Sequence, residues 1–203
     1  MIALVDYGLG NIQAFANIYR RLGLPVAPVT TATELSQADK IILPGVGAFD
    51  WAMQRLNGSG MRPALDEAVL GRKVPVIGIC VGMQMMARRS DEGHEPGLGW
   101  IDAEVRRFDI ACLNQRTHLP HMGWNDVAPV TTDTLFRDLP DPQFYFLHSY
   151  YFAAAEAADV LATTTYGVSF ASAVRSGNVF GCQFHPEKSH DWGIRLLRNF
   201  AEM

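Results

Sequence analysis

A cysteine at a sharp, glycine-rich corner is the residue best placed to do chemistry in this sequence. The segment Val76-Ile77-Gly78-Ile79-Cys80-Val81-Gly82 is a G-x-C-x-G elbow. At such an elbow a strand turns into a helix so tightly that only glycine avoids a Cβ clash. The sulfur then stands at the first turn of the helix, where the helix dipole favours the reactive thiolate. We predict that Cys80 is a nucleophile and that the Val81 N–H faces a developing oxyanion.

A base for this nucleophile lies near the C-terminus. A predicted strand leads into His185-Pro186-Glu187. Residues two apart in an extended segment project to the same side, so His185 and Glu187 are expected within hydrogen-bond range. A carboxylate bound to one imidazole nitrogen leaves the other to accept the thiol proton, which predicts a Cys80, His185 and Glu187 triad. Taken singly, the same residues would fit a buried hydrophobe, a loop histidine and a solvated charge.

The other histidines and cysteines indicate no second site. His118 and His121 fall in a predicted polar loop with no cysteine or carboxylate at zinc spacing, and C-x-x-C is absent, so no metal site is predicted. Cys112 and Cys182 complete an odd set of 3 cysteines at wide spacing. That pattern argues against a disulfide framework and for a reducing compartment, and neither of the two cysteines is assigned a role.

The surrounding elements predict an α/β fold. Three apolar strands, at residues 2–6, 40–43 and 74–80, each stop at a glycine-rich turn before a helix-compatible segment. This pattern is typical of βαβ units on a parallel sheet. The second half favours antiparallel strands and hairpins at residues 104–108, 144–152, 160–165, 170–175 and 178–184, then an amphipathic helix at 193–201. No repeat or linker divides the chain, so residues 1–203 are predicted to form one domain.

Composition and charge exclude several classes of function. With 203 residues, 48% of them hydrophobic, the chain can bury a sizeable core. A formal net charge of -4 without Lys/Arg runs gives no electrostatic footprint for nucleic acid or a membrane surface. The N-terminal residues show no export-signal pattern, and no apolar run is long enough to span a bilayer. We therefore expect a cytoplasmic protein.

Three segments resemble, in order and spacing, the signature segments of class I glutamine amidotransferases. They are Pro44-Gly45-Val46-Gly47, Gly78-Ile79-Cys80-Val81-Gly82-Met83-Gln84 and Gln183-Phe184-His185-Pro186-Glu187. Over nearly its whole length the chain resembles the glutaminase subunits of imidazole glycerol phosphate synthase, through residues 6–11, 120–125, 146–151 and 184–189. The resemblance implies a flavodoxin-like three-layer fold with a central mixed, largely parallel sheet and additional antiparallel strands in the second half.

The resemblance extends to individual residues. It makes Cys80 the nucleophile, His185 the base and Glu187 the group that orients the base. It implies an oxyanion loop whose glycines permit a peptide flip when the partner's site is occupied, made by Gly45, Val46 and Gly47. The glutamine-contacting residues that it implies are Gln84, His148, Ser149 and Tyr150. From the residues alone, these are ordinary helix and strand positions.

The resemblance also implies a reaction and a partner. Glutamine would be hydrolysed to glutamate and ammonia without a cofactor, and the ammonia would pass through a sealed passage into a (β/α)8-barrel cyclase subunit. That heterodimer makes imidazole glycerol phosphate and aminoimidazole carboxamide ribotide in histidine biosynthesis. Our candidates for the docking face are Gly10, Asn11, Pro120, His121, Met122, Gly123, Trp124 and Asn125.

One departure from the resemblance leaves the pathway open. Residues 188–193 carry a bulky His-Asp-Trp insert where histidine-pathway subunits more often have small residues. This stretch resembles more closely the paralogues that supply ammonia for amidation of a surface-polysaccharide sugar. A stand-alone cysteine hydrolase or γ-glutamyl peptidase and an inactive structural or regulatory subunit are further alternatives, because a fold and a triad do not determine the substrate.

Overall fold

A computed structural model of the chain describes residues 1–109, 111, 118–132 and 134–203. Its first half alternates strands and helices, as predicted. The strands of this half are β1 (Ile2–Val5), β2 (Val26–Val29), β3 (Lys40–Gly45) and β4 (Val76–Cys80). The helices are α1 (Ile12–Arg21), α2 (Ala32–Leu35), α3 (Phe49–Gly58), α4 (Arg62–Asp66), which continues into a π-helical turn (Glu67–Gly71), and α5 (Val81–Gln84).

Short strands dominate the second half. They are β5 (Arg89–Ser90), β6 (Ala103–Arg107), β7 (His121–Asp126), β8 (Ala128–Pro129), β9 (Gln143–His148), β10 (Tyr150–Ala154), β11 (Val160–Tyr166), β12 (Val168–Ser176) and β13 (Val179–Cys182). Two 3-10 turns cover Ala157–Asp159 and Pro186–Lys188. The C-terminal helix α6 (His190–Glu202) begins earlier than the predicted residue 193.

Within the described residues, the main sheet has eleven strands and is mixed. Its parallel part runs in the order β2-β1-β3-β4-β13, and β12, β10 and β6 continue it in antiparallel pairing. β5 is parallel to β6, and β11 joins β12 to β8. The predicted class, a mixed and largely parallel sheet with additional antiparallel strands in the second half, is confirmed. That residues 1–203 form one domain stays a prediction.

Helices cover both faces of the parallel part. The connection from β1 to β2 and the connection from β3 to β4 run in opposite directions across the sheet. Because such crossovers are right-handed, α1 lies on one face and α3 and α4 lie on the other. The α6 helix packs beside α1, where the Tyr19 hydroxyl donates to the Leu197 carbonyl at 3.0 Å. The chain therefore forms three layers.

The strand β13 forms the antiparallel pairing predicted for residues 178–184 and has a second neighbour that was not predicted. It is antiparallel to β12, but it is also parallel to β4, with Val179 opposite Val76 and Cys182 opposite Ile79. All four of its residues are buried, as expected for a central strand with both faces covered. This pairing carries the residues after β13 to the position beside Cys80.

The single strand predicted over residues 144–152 is wrong. The structure divides it at Ser149 into β9 and β10. β9 pairs with β7 in a separate two-stranded sheet, where His148 faces His121, whereas β10 pairs with β6 in the main sheet. Both pieces keep a similar strand pattern, so periodicity alone does not reveal the change of sheet.

Close backbone packing at the elbow depends on three glycines. A Cβ added to Gly82 would lie 1.9 Å from the Leu43 carbonyl oxygen, and one added to Gly45 would lie 2.3 Å from the Gly82 nitrogen. A Cβ on Gly78 would lie 2.6 Å from the Gly82 oxygen. These approaches exclude any side chain, and they bring β3, β4 and α5 together so that residues 45–47 adjoin Cys80.

Candidate active site

Cys80 has the strained backbone that the elbow pattern predicts. Its φ of 54° and ψ of -112° lie outside the regions that side-chain-bearing residues favour, at a cost of about 1–3 kcal/mol. The residue is 4% exposed and ends β4 directly before α5. Since α5 spans only Val81–Gln84, its dipole contributes less to stabilising a thiolate than that of a longer helix would.

His185 lies beside Cys80 because β13 runs parallel to β4. The imidazole and the Cys80 sulfur share one cleft and interact electrostatically, and Nδ1 of the imidazole lies 2.9 Å from Oε1 of Glu187. Residues Pro186–Lys188 form a 3-10 turn, so the His185–Glu187 contact is made across a turn and not along the extended segment that we predicted. The His185 backbone is also held in place, because its N–H donates to the Tyr145 carbonyl at 2.8 Å and its carbonyl accepts from the Ser189 hydroxyl at 2.6 Å.

The surroundings of His185 favour its protonated form. Burial lowers the pKa of His185, but hydrogen bonds to Cys80 and Glu187, together with the charges of these groups, outweigh burial and raise the pKa to about 10. The other oxygen of Glu187, Oε2, is buried without a hydrogen-bond partner among the described residues. The carboxylate therefore acts mainly on the imidazole, and His185 holds a proton at neutral pH that it can give to a leaving group.

A cleft of about 350 Å³ opens at the carboxyl ends of β3, β4 and β13. The cleft is lined by Cys80, Val81 and His185 and by Val46 and Gly47 of the predicted oxyanion loop. The predicted glutamine-contacting residues that also line it are Gln84, His148, Ser149 and Tyr150. Gly45 instead lies behind the elbow, packed on Gly82. Carboxyl ends of parallel strands are where α/β sheets bind ligands, so this cleft is the candidate active site.

The side chain of Gln84 is largely committed to other protein groups. It is 3% exposed, and its Nε2 donates to the Tyr150 carbonyl at 3.2 Å and to Oε1 of Gln183 at 3.0 Å. Both amide hydrogens are thereby used, which leaves the carbonyl oxygen of Gln84 as its acceptor for a ligand.

A buried chain of hydrogen bonds runs inward from the cleft through two histidines. The prediction that His121 lies in a polar loop is wrong, because it begins β7 and is 2% exposed. His121 Nδ1 lies 2.9 Å from His148 Nε2, and His148 Nδ1 lies 2.7 Å from the Tyr150 carbonyl. At the other end, Asn125 Nδ2 lies 3.2 Å from His121 Nε2. A carbonyl only accepts, so His148 carries a proton on Nδ1. The lowered pKa values of both histidines make the rings neutral, so His148 Nε2 accepts from His121 Nδ1–H and the His148 ring has no free nitrogen for a substrate.

Both histidines of this chain are held neutral. Burial and the nearby charges of His121 and His185 lower the pKa of His148 to about 3, against a weaker opposing effect of the Tyr150 carbonyl. Burial lowers the pKa of His121 to about 4. The His121 ring stacks on Phe146 and Tyr166, with ring centroids 4.7 Å and 3.9 Å away. The two neutral histidines therefore connect the β7–β9 sheet to the main sheet through ring stacking and hydrogen bonds.

We expect the folded state to lose stability in mild acid because of this pair. Both pKa values lie below the ordinary 6.5, so the unfolded chain binds more protons than the folded chain below that pH. The stabilisation is complete above about pH 6.5 and falls by roughly 1.4 kcal/mol per histidine per pH unit as the pH drops towards the folded-state pKa. Urea unfolding of wild type and His148→Gln at about pH 7.5 and about pH 5.5 measures the effect.

The variant should lose about 1.4 kcal/mol less than wild type over that interval, because one titrating group is gone. His94→Gln is the matched control, since His94 is exposed and its substitution should leave the wild-type pH dependence intact. An equal loss in His148→Gln and wild type would contradict the assignment.

The sequence interpretation gave no role to Glu92 and Lys188, which also line the cleft. One oxygen of Glu92 accepts the Phe49 N–H at 2.9 Å, which attaches residues 90–95 to the start of α3. Asp50 strengthens this attachment by accepting the N–H groups of His94 and Glu95. No spacing pattern links Glu92 to the elbow, because a tertiary contact with α3 positions it. Lys188 follows Glu187 directly and was read only as part of the stretches 184–189 and 188–193.

An apolar face lies next to the cleft on the outer side of the β7–β9 sheet. Met122 is 64% exposed, Trp124 44% and Leu147 38%, and Leu147 pairs with Met122 across the two strands. The Trp124 ring stacks on His190 at 5.4 Å and contacts Trp192 at 6.2 Å. The bulky His-Asp-Trp insert thus supports Trp124. Of the predicted docking residues, His121 points away from this face.

The remaining predictions concern the other two cysteines, metal binding and membrane-spanning helices. Cys182 is buried, and burial together with the nearby charges of Glu187 and Cys80 raises its pKa well above the ordinary value; Cys112 lies outside the described residues. In the described part of the chain, no group of three or more His, Cys, Asp or Glu side chains could hold a metal ion. Every helix described is too short or too polar to cross a membrane.

Comparisons with known proteins agree with this geometry. The family model of class-I glutamine amidotransferases matches residues 3–203. Imidazole glycerol phosphate synthase subunit HisH of Bdellovibrio bacteriovorus is 58% identical, that of Leptospira interrogans 47%, and subunit HisH 2 of Pseudomonas aeruginosa 45%, each alignment covering 100% of both chains. A crystal structure of a glutamine amidotransferase has a TM-score of 0.77 at 22% identity, covering 99% of this chain and 97% of the other. This chain belongs to the class-I glutamine amidotransferase family.

Proposed function

We propose that the chain is the glutaminase subunit of imidazole glycerol phosphate synthase. It would hydrolyse glutamine to glutamate and ammonia and pass the ammonia to a separate cyclase subunit. The observation that carries the proposal is the meeting, at the ends of neighbouring parallel strands, of the strained Cys80 with His185 and Glu187. A cysteine activated by an adjacent imidazole and its carboxylate is the arrangement required for acyl transfer through a thioester.

In the first step, the Cys80 thiolate attacks the side-chain amide carbon of glutamine. A C–S bond forms and the carbonyl oxygen takes the negative charge. His185 then protonates the nitrogen, the C–N bond breaks, and ammonia leaves a thioester on Cys80. The raised pKa of His185 supplies this proton at neutral pH, and Glu187 keeps the imidazole turned so that the other ring nitrogen faces the reaction.

In the second step, water gives a proton to His185 and attacks the thioester. The C–S bond breaks, the thiolate departs and glutamate is released. The oxyanion of each step would bind the backbone N–H groups of Val81 and Val46. Val46 is 39% exposed and precedes Gly47, whose φ is 84°, so the loop can change its peptide orientation without a steric penalty at the glycine.

Glutamine would enter with its amide towards Cys80 and its α-amino acid end towards the cleft wall. Glu92 is the acidic residue of that wall. One of its oxygens already accepts the Phe49 N–H, and the second would receive the α-ammonium group of the substrate. The Gln84 carbonyl and the main chain at Ser149 and Tyr150 are the remaining proposed contacts, whereas the His148 ring would support Tyr150 from behind.

The partner would be a (β/α)8-barrel cyclase subunit that docks on the apolar face of the β7–β9 sheet. Exposed Met122, Trp124 and Leu147 form a patch of the kind found at protein interfaces, and Leu147 also lines the cleft. Gly10 and Asn11 would extend the interface towards the oxyanion loop. A Cβ on Gly10 would lie 2.6 Å from the Pro44 Cβ, so Gly10 packs closely against the residue that precedes the oxyanion loop. A displacement of residues 10–11 on docking would therefore be transmitted to that loop.

A sealed passage to this partner follows from the chemistry of ammonia. In bulk water it is protonated and loses the lone pair that an acceptor reaction needs. The full-length relatives bearing the name of the imidazole glycerol phosphate synthase subunit favour the histidine pathway over sugar amidation. The His-Asp-Trp insert is compatible with either, since it supports Trp124 of the docking face.

Glutamate release tests the proposal. Purified chain is assayed alone, with the cyclase subunit of its own organism, and with that subunit plus its ribonucleotide ligand. We expect little turnover alone and strong stimulation by the liganded cyclase. Glutamate release at the same rate with and without the cyclase would indicate the sugar-amidating paralogue or a stand-alone hydrolase. No glutamate release from any of the mixtures would indicate a structural or regulatory subunit.

A further inference from the structure

We infer that Gln183 is a positioning residue that donates a hydrogen bond to the Cys80 sulfur and stabilises it as the thiolate; the inference deepens the proposed function and rests on it. Gln183 directly follows β13, whose last residue, Cys182, pairs with Ile79 of β4. Its Nε2 lies 3.7 Å from Cys80 Sγ, and the residue is 0% exposed. The nucleophile thus has a buried neutral donor in addition to His185.

The orientation of the Gln183 amide follows from its neighbours. The Tyr150 carbonyl can only accept, so the Gln84 side chain must present its NH2 group there, at 3.2 Å. The second hydrogen of that NH2 group is directed to Gln183 Oε1, at 3.0 Å. With its oxygen occupied, Gln183 presents its own NH2 group to Cys80. The order of donors and acceptors from Tyr150 to the sulfur therefore allows one arrangement of the amides.

This arrangement suits an anion better than a thiol. A thiol can donate its hydrogen, and the Leu147 carbonyl is available to it at 3.8 Å. A thiolate can only accept, and Gln183 supplies a donor inside a buried environment where a charge-assisted hydrogen bond is strengthened. Unlike His185, the amide does not give up its proton, so the same bond serves attack on glutamine and departure of the sulfur when the thioester is hydrolysed.

Alkylation of Cys80 by iodoacetamide measures thiolate reactivity without glutamine or a partner. Wild type is compared with Gln183→Met, which keeps the side-chain length and removes the donor, and with Gln183→Glu, which replaces the donor by an acceptor. Peptide mass spectrometry separates Cys80 from the other cysteines, and the rate is followed across the pH range. Steady-state glutaminase kinetics with the proposed partner complete the comparison.

At neutral pH, we expect Gln183→Met to react about ten-fold more slowly, because a hydrogen bond to a charged group is lost. Gln183→Glu should react more slowly still, and both pH profiles should move to higher pH. In the glutaminase assay, kcat should fall by a similar factor while KM for glutamine stays near the wild-type value. A side chain that only fills space would leave the alkylation profile of the folded variants unchanged.

Asn199→Leu is the matched control for loss of a buried amide. Asn199 is 1% exposed and donates to the Leu135 and Arg137 carbonyls at 2.9 Å and 2.7 Å, so its loss should affect stability and not the alkylation profile. If the Gln183 variants do not fold, Gln84→Met is used instead, because it removes the hydrogen bond that orients the Gln183 amide. Slower alkylation of Cys80 is again expected.

An unchanged profile in folded Gln183→Met, or in Gln84→Met when that variant is needed, overturns the inference. The proposed function can fail separately. If wild type shows no glutaminase activity with any partner while Cys80 alkylation still depends on Gln183, the donor assignment stands and the reaction is wrong. If glutaminase activity is present and the Cys80 alkylation rate does not depend on Gln183, the proposed reaction stands and the donor assignment is wrong.

Discussion

Replacing Cys80 with alanine should reduce glutamine hydrolysis by about 10⁴-fold or more, because the group that forms the thioester is lost. Cys80 is 4% exposed, and alanine removes only the sulfur, so the docking face at Met122 and Trp124 should be unaffected. The measurement is glutamate release in the presence of the partner, together with the dissociation constant of the complex. We expect the first to vanish and the second to stay near the wild-type value.

Cys182→Ala is the matched control for the thiol substitution. Cys182 is also buried and lies near the same charges, but it points to the Phe184 carbonyl at 3.7 Å and has no place in the proposed reaction. Turnover in this variant should remain within several-fold of wild type. If Cys80→Ala kept its glutaminase activity, the nucleophile would have to be another group and the proposed mechanism would be wrong.

Replacing Glu187 with glutamine should lower kcat by about 10³-fold, since a triad base that loses its carboxylate also loses its fixed tautomer. An amide has no charge to favour the imidazolium. The pKa of His185, raised to about 10 by Cys80 and Glu187, should therefore fall. As a result, the alkaline limb of the pH profile of kcat should move to lower pH. KM for glutamine should change little, because Glu187 is not among the residues that line the cleft.

Glu104→Gln provides the comparison for this change. The Glu104 carboxylate accepts from Arg89 at 2.9 Å on the surface and is remote from the elbow in the sheet order. Its variant should keep both the rate and the pH profile of wild type. A Glu187→Gln enzyme whose alkaline limb does not move would show that the carboxylate is not what keeps His185 protonated.

The effect of His185 on the pH dependence of folding stability is opposite in sign to that of the two neutral histidines. Its pKa lies above the ordinary 6.5, so its interactions stabilise the fold fully below that pH and lose this effect as the pH rises through about 10. His121 and His148 destabilise the fold as the pH falls below 6.5. Between these limits His185 is protonated while His121 and His148 are neutral.

Local features of the site were predictable from the sequence. Glycines on both sides of Cys80 permit a tight strand-to-helix corner, because the absence of a side chain at Gly82 allows the close approach to Leu43. His185 and Glu187 are only two residues apart, so their contact needs a local turn and no distant element. The βαβ pattern of the first half likewise follows from short apolar runs that end at glycines.

Features that depend on which strands become neighbours were not predictable in the same way. Residues 178–184 have the pattern of any short strand, and residues 144–152 were predicted as one strand although they serve two sheets. His148 was predicted to contact the substrate; it lines the cleft, but the sequence did not reveal that both of its ring nitrogens bind protein groups. Glu92 was missed because its position in the cleft depends on the N-terminus of α3, far away in the chain.

The sequence by itself determined the elbow and the α/β class and indicated the candidate residues Cys80, His185 and Glu187, because these depend on backbone freedom and on contacts within a few residues. Only the tertiary structure decided that β13 lies beside β4, that His148 supports the cleft from inside and that Gln183 faces Cys80. Backbone hydrogen bonds between strands are nearly independent of side-chain identity. The choice of strand neighbour therefore comes from packing of the whole core, which no single segment of the sequence specifies.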